Sequence, residues 1–458
     1  MDEKKLVVII AALTQLTTQL IANMVILAMP EIAADMNLGV SFETQIYLIY
    51  LVAVVAFTIP LSKIVAQYGV KRCMIICYIA LIVSLLISIF AVDVNFIFVS
   101  RIIQGICVAI LLVTIYILVV TELPENEVGS ALGIVGSCGY IGLMSAPTLM
   151  GVLLHFINWR LAFAFFIPLM AVQIILLLKV KKEYRADKKP IDKSGIILFV
   201  LAMLVFVAGL TTLHSNGIVL ILFSILIFIL FIRVEKGKEN PMYNVKLLKD
   251  FKYVIGNYAA MVTYFVSSIT IVILNYHLLY IHEFSSYQIG LILLVTPAVM
   301  TLVSIYAGRL SDKYDLKLIS GIALFIIFIS MVLLLHLVYV SLDLIIIACI
   351  VQGIGHGLFS SPNNKYVLTR VDDKDLPDAS SLLSTSKEFG KMLGGNMYTF
   401  ICIVAFGDLA LGPDELDYLL LNVDFMMIFI TAIVCLSGVI MLFVSKYLLK
   451  KSEKSEGC

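Results

Sequence analysis

Charged residues are scarce in this chain. Of its 458 residues, 14% are Asp, Glu, Lys or Arg and 61% are apolar, whereas a soluble domain has about 25% charged residues. Water does not solvate a compact globule of this composition, so we expect lipid to surround much of the chain. The net charge is only +1, which gives no reason to expect a nucleic acid partner.

The motifs of metal sites and of common enzymes are also missing. The eight Cys residues form no Cys-x-x-Cys pair, and most lie in apolar runs, where Cys behaves as a small hydrophobic residue. The sequence has no His-Glu-x-x-His, no Gly-x-Ser-x-Gly and no P-loop. We therefore predict no metal and no cofactor, and we expect neither an enzyme nor direct use of ATP.

Long apolar runs are abundant instead. A helix needs about 20 mostly apolar residues to cross a bilayer, and its backbone groups must pair internally there. The fold class predicted is therefore an all-α integral membrane protein with fourteen spanning helices. The predicted spans 1 to 14 are residues 6–29, 45–66, 73–92, 96–121, 128–155, 161–179, 194–213, 217–233, 253–281, 287–308, 318–340, 344–368, 379–405 and 424–446.

Lysine and arginine are sorted to one side of these predicted spans. If the N-terminus is cytoplasmic, all but four of the 32 Lys and Arg residues fall in cytoplasmic segments. Only Arg160 falls in an outer loop, and the other three, Arg101, Lys387 and Lys391, lie within spans. Cytoplasmic loops of membrane proteins carry such an excess. We predict a multi-pass protein of the plasma membrane with both termini in the cytoplasm.

Spans 7 and 8 lie between the two most basic connections and contain few polar residues. We interpret them as an insertion between two six-span halves. The predicted domains are an N-terminal six-helix bundle, basic loops with two extra spanning helices, a C-terminal six-helix bundle and a cytoplasmic tail, at 1–180, 181–250, 251–447 and 448–458. The basic loops are expected to fix the topology, and binding of a partner or of anionic lipid is the alternative.

The loop between spans 10 and 11 carries the most distinctive motif. Its sequence GRLSDKYDLK at 308–317 resembles the loop signature Gly-x-Leu-Ala-Asp-Arg-x-Gly-Arg-Lys of the major facilitator superfamily. That resemblance implies a fold of two six-helix bundles, with a loop that latches the halves in one gating state. It also implies that Gly308 allows close helix approach, that Asp312 caps or pairs across the loop, and that Lys313 and Lys317 hold the cytoplasmic side, with Arg309 as a further residue of the gating loop.

The corresponding loop of the first half departs from this signature. In SKIVAQYGVKR at 62–72, Ala66 stands at the position of the Asp, whereas Gly69, Lys71 and Arg72 are retained. We therefore expect the first-half latch to lack its usual carboxylate.

Two motifs resemble the fourteen-spanning drug:proton antiporter branch of the same superfamily. RIIQG at 101–105 is similar to the branch's Arg-x-x-Gln-Gly, and Arg101 and Gln104 share one helical face. For Arg101, a position facing a cavity competes with snorkelling to the outer interface.

The second motif, GLMSAPTLMG at 142–151, is similar to the antiporter signature Gly-x-x-x-Gly-Pro-x-x-Gly-Gly through Gly142, Pro147 and Gly151, with Ala146 in place of a glycine. The signature is associated with exporters, so the resemblance favours efflux. Ordinary packing of small residues is the alternative explanation.

Only one acidic residue lies well inside a predicted span. Glu388 in span 13 is flanked by Lys387 and Lys391, and ionisable residues inside a membrane indicate functional sites. We predict that Glu388 couples transport to protons and that Arg101 is a relay or a substrate contact, although a structural ion pair is the alternative for Glu388. Gln104 and Asn23 complete the predicted cavity, and His277 and His356 are alternative proton carriers.

The same charges suggest a substrate class. Exporters of cationic drugs in this branch typically carry an Asp in span 1, where this chain has Ile21. The deep cations outnumber the deep carboxylates, so a neutral or anionic amphipath is the expected substrate. The predicted function is proton-coupled export of small amphipathic compounds by rocking of the two halves in the bilayer. The alternatives are a facilitator or importer of a metabolite without proton antiport, and a non-transporting receptor.

Overall fold

Helices make up the secondary structure of this computed structural model. It describes residues 3–38, 40–212, 217–335, 341–406, 425–426 and 428–440, and no strand occurs among them. The helices, with their span numbers, are Glu3–Asn23 and Val25–Asp35 (1), Val40–Tyr68 (2), Val70–Ile89 (3), Val94–Glu122 (4), Glu125–Phe156 (5), Trp159–Ala164 and Ile167–Leu178 (6), Lys193–Thr211 (7), Gly217–Lys236 (8), Phe251–Tyr280 (9), Ser286–Leu293 and Val295–Ser311 (10), Leu316–Leu334 (11), Leu342–Leu368 (12), Leu376–Phe406 (13) and Ile428–Ile440 (14).

The prediction of fourteen spans is confirmed for twelve. Among the described residues, twelve helical segments are long and apolar enough to cross a membrane, and they coincide with predicted spans 1 to 12. Span 13 is a helix of 31 residues but is not one of the twelve, and span 14 is represented by a shorter apolar helix. The predicted tail at 448–458 lies outside the described residues.

Polar side chains cap the N-termini of many of these helices. The Asp93 side chain accepts a hydrogen bond from the Asn95 N–H at the start of span 4. The Asn158 side chain accepts one from the Leu161 N–H at the start of span 6. Asp250 and Asp315 start spans 9 and 11 in the same way. Such caps satisfy backbone donors that have no partner within the helix. They therefore stabilise the first turns of these four spans.

The basic loops lie together at one end of the molecule. The Lys71 N–H donates to Glu183 (2.8 Å), which joins the loop after span 2 to residues 179–193. Tyr184 donates to the Asp373 carbonyl (3.1 Å), which brings in the loop after span 12. We call this the basic end. Arg160 lies at the opposite end, where it pairs with Asp35.

The two predicted halves contact each other most extensively along two pairs of helices. Span 5 packs against span 10, and span 2 packs against span 13. Span 7 packs on span 2, and span 8 packs mainly on span 7. Span 8 leaves apolar side chains such as Leu222 and Leu226 largely exposed, as expected of a helix whose outer face contacts lipid.

Candidate functional site

Three charged residues of span 13 lie near the centre of contact between the halves. Lys391 donates to Glu388 at 2.8 Å, and the Glu388 side chain is 13% exposed. Lys387 is buried and donates to two neutral oxygens, the Tyr116 hydroxyl (2.7 Å) and the Asn364 side-chain carbonyl (2.6 Å). Span 13 therefore carries one compensated ion pair and one cation held by neutral groups.

Tyrosine side chains from both predicted halves surround these charges. Tyr47, Tyr50, Tyr116 and Tyr264 lie within the range of the Glu388 charge, and we call these four residues the tyrosine cluster. Lys387 lies over the rings of Tyr116 (4.9 Å) and Tyr264 (5.6 Å). A ring face attracts a cation through its quadrupole. The cluster thus joins spans 2 and 4 to spans 9 and 13.

Arg101 and Gln104 form a second polar group on span 4. The Nη1 atom of Arg101 donates to the Gln104 side chain (2.6 Å) and to the Ile21 carbonyl (3.1 Å) of span 1. Its guanidinium lies over the Tyr50 ring (4.4 Å), next to the tyrosine cluster. Arg101 is 2% exposed, so the structure does not agree with snorkelling to the outer interface.

One edge of the Arg101 guanidinium is unused. Within the described part of the chain, its Nε and Nη2 atoms are buried and have no hydrogen-bond partner. These two N–H groups point in parallel and fit a planar pair of acceptor atoms such as a carboxylate.

Asn23 stands apart from this group. Its side chain donates to the Gln19 carbonyl one helical turn earlier (2.8 Å), and no hydrogen bond among the described residues links it to Arg101 or Glu388. His356 is buried in span 12.

The small residues of the antiporter-like motif bring span 5 close to span 1. A Cβ atom at Gly142 would lie 2.8 Å from the Leu16 carbonyl, and Ala146 is fully buried. Pro147 lies within the continuous helix Glu125–Phe156. A Cβ atom at Gly151 would make only an ordinary contact of 3.4 Å. Close packing thus requires glycine at Gly142 but not at Gly151.

Asp312 joins the two predicted halves at the basic end. Its carboxylate accepts hydrogen bonds from the backbone N–H groups of Gly129 and Ser130 in span 5, both at 2.8 Å, and from the Ser130 hydroxyl. Lys365 of span 12 donates to it at 2.7 Å. We call these four residues the Asp312 latch. Their side chains are largely buried, since Asp312 is 9% and Lys365 7% exposed.

Gly308 lets spans 10 and 5 approach until their backbones touch. A Cβ atom there would lie 2.7 Å from the Gly129 carbonyl and 2.9 Å from Gly133 Cα. The neighbouring Arg309 and Lys313, in contrast, are exposed at the basic end.

The retained residues of the first-half loop hold residues 179–193 rather than the second half. Gly69 has φ of 109°, a conformation that favours glycine. Lys71 donates to the Val180 carbonyl (2.7 Å), and Arg72 lies 3.9 Å from Glu183. These residues therefore bind the loop after span 2 to residues 179–193, the segment that follows span 6.

Sequence reasoning missed the tyrosine cluster, the Asn364 contact and the Lys365 contact. Tyrosines usually mark the interface of a membrane rather than its interior, so tyrosines deep in predicted spans were the available signal.

Comparison with known proteins identifies the family. A model described as Major Facilitator Superfamily matches residues 11–242 and 258–457. Relatives include the riboflavin transporter RibZ of Clostridioides difficile, which is 26% identical over 86% of this chain and 87% of its own length. The lincomycin resistance protein LmrB of Listeria innocua is 21% identical over 65% of this chain and 64% of its own length.

Two solved structures share the fold. The human organic anion transporter MFSD10 superposes with a TM-score of 0.71 and 12% identity, covering 96% of this chain and all of that structure. The proton:xylose symporter XylE gives a TM-score of 0.68 and 13% identity, covering 97% and 95%. Since the family match spans most of the chain, this protein belongs to the Major Facilitator Superfamily, a family of membrane transporters.

Proposed function

We propose that the chain is a secondary active transporter that exports small amphipathic compounds, neutral or anionic, in exchange for protons. The observation that carries this proposal is the meeting of Lys387, Glu388 and Lys391 with the tyrosine cluster, between helices of both predicted halves. In transporters of this kind, the halves rock around a site near the middle of the membrane. Contacts made by both halves change in such a motion.

Glu388 is the proposed coupling group. Its carboxylate compensates Lys391 at 2.8 Å. A proton on Glu388 removes that compensation, whereas an ionised Glu388 can accept a hydrogen bond from a donor group of the substrate. A proton and such a donor therefore compete for the same carboxylate, which is what exchange of substrate for protons requires.

The surrounding groups favour a flat substrate with hydrogen-bond acceptors. The tyrosine cluster offers ring faces on which an aromatic compound can stack. The unused edge of Arg101 and the ammonium of Lys387 offer donors to an acceptor pair or an anionic group. We propose no cationic substrate, because the deep cations outnumber Glu388.

We also propose fourteen spans, with the basic end in the cytoplasm and the division into halves at 1–180 and 251–447. The clustering of the basic loops at one end supports this orientation in the plasma membrane.

A second candidate function is transport of a flat aromatic metabolite without proton antiport. The tyrosine cluster favours it, because stacked rings recognise such a compound without any proton. A relative at 26% identity is a riboflavin transporter, while other relatives are drug resistance proteins and efflux pumps.

Everted membrane vesicles separate the two candidates. We would impose a proton gradient and follow uptake of matched cationic, neutral and anionic aromatic compounds. The unaltered protein would be compared with Glu388→Gln and with the control Asp343→Asn, the same change at an exposed residue. Gradient-driven uptake that is lost only in Glu388→Gln supports the exporter. Counterflow that ignores the gradient in all three proteins contradicts proton coupling and supports the metabolite transporter.

A further inference from the structure

A second charged contact joins the predicted halves at the basic end. The Lys63 ammonium of span 2 lies 3.2 Å from the Asp378 carboxylate in the first turn of span 13. The Asp378 side chain is 1% exposed and the Lys63 side chain 30% exposed. Lys63 lies in the first-half loop segment at 62–72 but had no role assigned to it there, Asp378 belongs to none of the recognised motifs, and neither residue contributes to the substrate site.

The chain between the halves encloses this contact. Lys63 also donates to the Pro241 carbonyl (2.9 Å), and the backbone N–H of Asn244 donates to Asp378 (2.8 Å). The Asn244 side chain donates to Asp375 (2.9 Å), just before span 13. Residues 241–244 thus bind both partners of the ion pair at once.

The contact corresponds in position to the Asp312 latch, but its carboxylate comes from the opposing helix. In the Asp312 latch, the loop after span 10 supplies a carboxylate to the first turns of span 5. In the first half, the equivalent position is Ala66, which has no carboxylate to supply. Here the opposing helix, span 13, supplies the carboxylate, and span 2 supplies the cation. Asp378 also suits the first turn of a helix, because the helix dipole favours negative charge there.

We propose that Lys63 and Asp378 form a second latch that holds the basic end closed, with its carboxylate on the opposing helix rather than on the loop after span 2, and with residues 241–244 as its clamp. The closed state keeps Asp378 away from water, and parting of spans 2 and 13 hydrates it. Loss of Lys63 alone leaves a buried carboxylate without its counter-ion, which favours the open state. Loss of both charges removes that penalty.

Hydrogen exchange of the full-length protein in lipid nanodiscs tests this latch without any substrate. We expect Lys63→Gln to increase hydrogen exchange about tenfold at residues 239–250 and at the start of span 13. We expect the same increase at residues 125–133, which include Gly129 and Ser130 of the distant Asp312 latch. Lys63→Arg and the double variant Lys63→Gln/Asp378→Asn are expected to stay close to the unaltered protein. The control is Lys374→Gln, an exposed lysine at the same end.

Three results would contradict the latch. The first is a hydrogen-exchange profile of Lys63→Gln equal to that of Lys374→Gln. The second is faster exchange in the double variant than in Lys63→Gln. The third is increased exchange confined to the vicinity of residues 63 and 378. None of these outcomes depends on whether the protein exports its substrate.

Discussion

The lysines within the spans differ in how their charge is compensated. Asp312 compensates Lys365 and Glu388 compensates Lys391, whereas the described residues offer Lys387 only the oxygens of Tyr116 and Asn364. A buried ammonium without a counter-ion is costly. We infer that an anion reaches Lys387 during the transport cycle.

Replacement of Lys387 tests this inference. For Lys387→Met, we expect the KM of a carboxylate-bearing aromatic substrate to rise about tenfold or more, because a hydrogen bond to a charged group is worth about 1.5–3 kcal/mol. The KM of the corresponding neutral amide should change little. The measurement is initial uptake into proteoliposomes, with Lys374→Met as the control. Equal losses for both substrates would remove Lys387 from anion recognition.

The sequence could predict which residues are unusual but not which ones meet. Glu388 and Lys391 are close in sequence, so their spacing predicts a pair. Lys63 and Asp378 are more than 300 positions apart, and neither is unusual at the end of a span. Only the packing of span 2 on span 13 makes them partners. The unused edge of Arg101 also depends on three-dimensional surroundings, because any arginine has the same donors.

At the scale of helices, the crossing of spans 5 and 10 depends on glycine. We expect Gly308→Ala to destabilise the protein by about 1–3 kcal/mol, since its Cβ would lie 2.7 Å from a backbone carbonyl that cannot rotate away. The apparent Tm of the purified protein should fall. The control is Gly290→Ala, where no atom lies within 4 Å of the added Cβ, and there the Tm should hold or rise slightly. Equal Tm values for the two variants would contradict a close crossing.

The positions of the helices were more predictable than their interruptions. Runs of about 20 apolar residues located spans 1 to 12, because the bilayer sets a minimum length for each helix. Breaks near Met24, Phe165 and Leu294 were not predicted. Pro168 and Pro297 each follow a break by three residues and remove a backbone hydrogen bond from the turn before them, so the sequence accounts for the breaks at Phe165 and Leu294. No proline or glycine lies that close to Met24, and tertiary packing decides that break.

At the scale of the whole molecule, the charge distribution predicts orientation. We expect a membrane-impermeant maleimide to label Tyr314→Cys, at the basic end, only in everted vesicles. Phe156→Cys, at the opposite end, should be labelled only in intact cells. Both residues are well exposed, and the unaltered chain is the control for its native cysteines. The reverse pattern would place the basic end outside the cell.

The two latches are unequal, and this affects how the molecule opens. Asp312 accepts four hydrogen bonds, beside a crossing where the backbones of spans 5 and 10 touch. Asp378 is held by a half-exposed lysine and one backbone N–H. We expect the halves to part obliquely, with spans 5 and 10 as the pivot and spans 2 and 13 as the side that swings. A bulky substrate would then enter or leave through a wedge-shaped opening beside span 7. The width of that opening would set the upper limit on the size of the substrate.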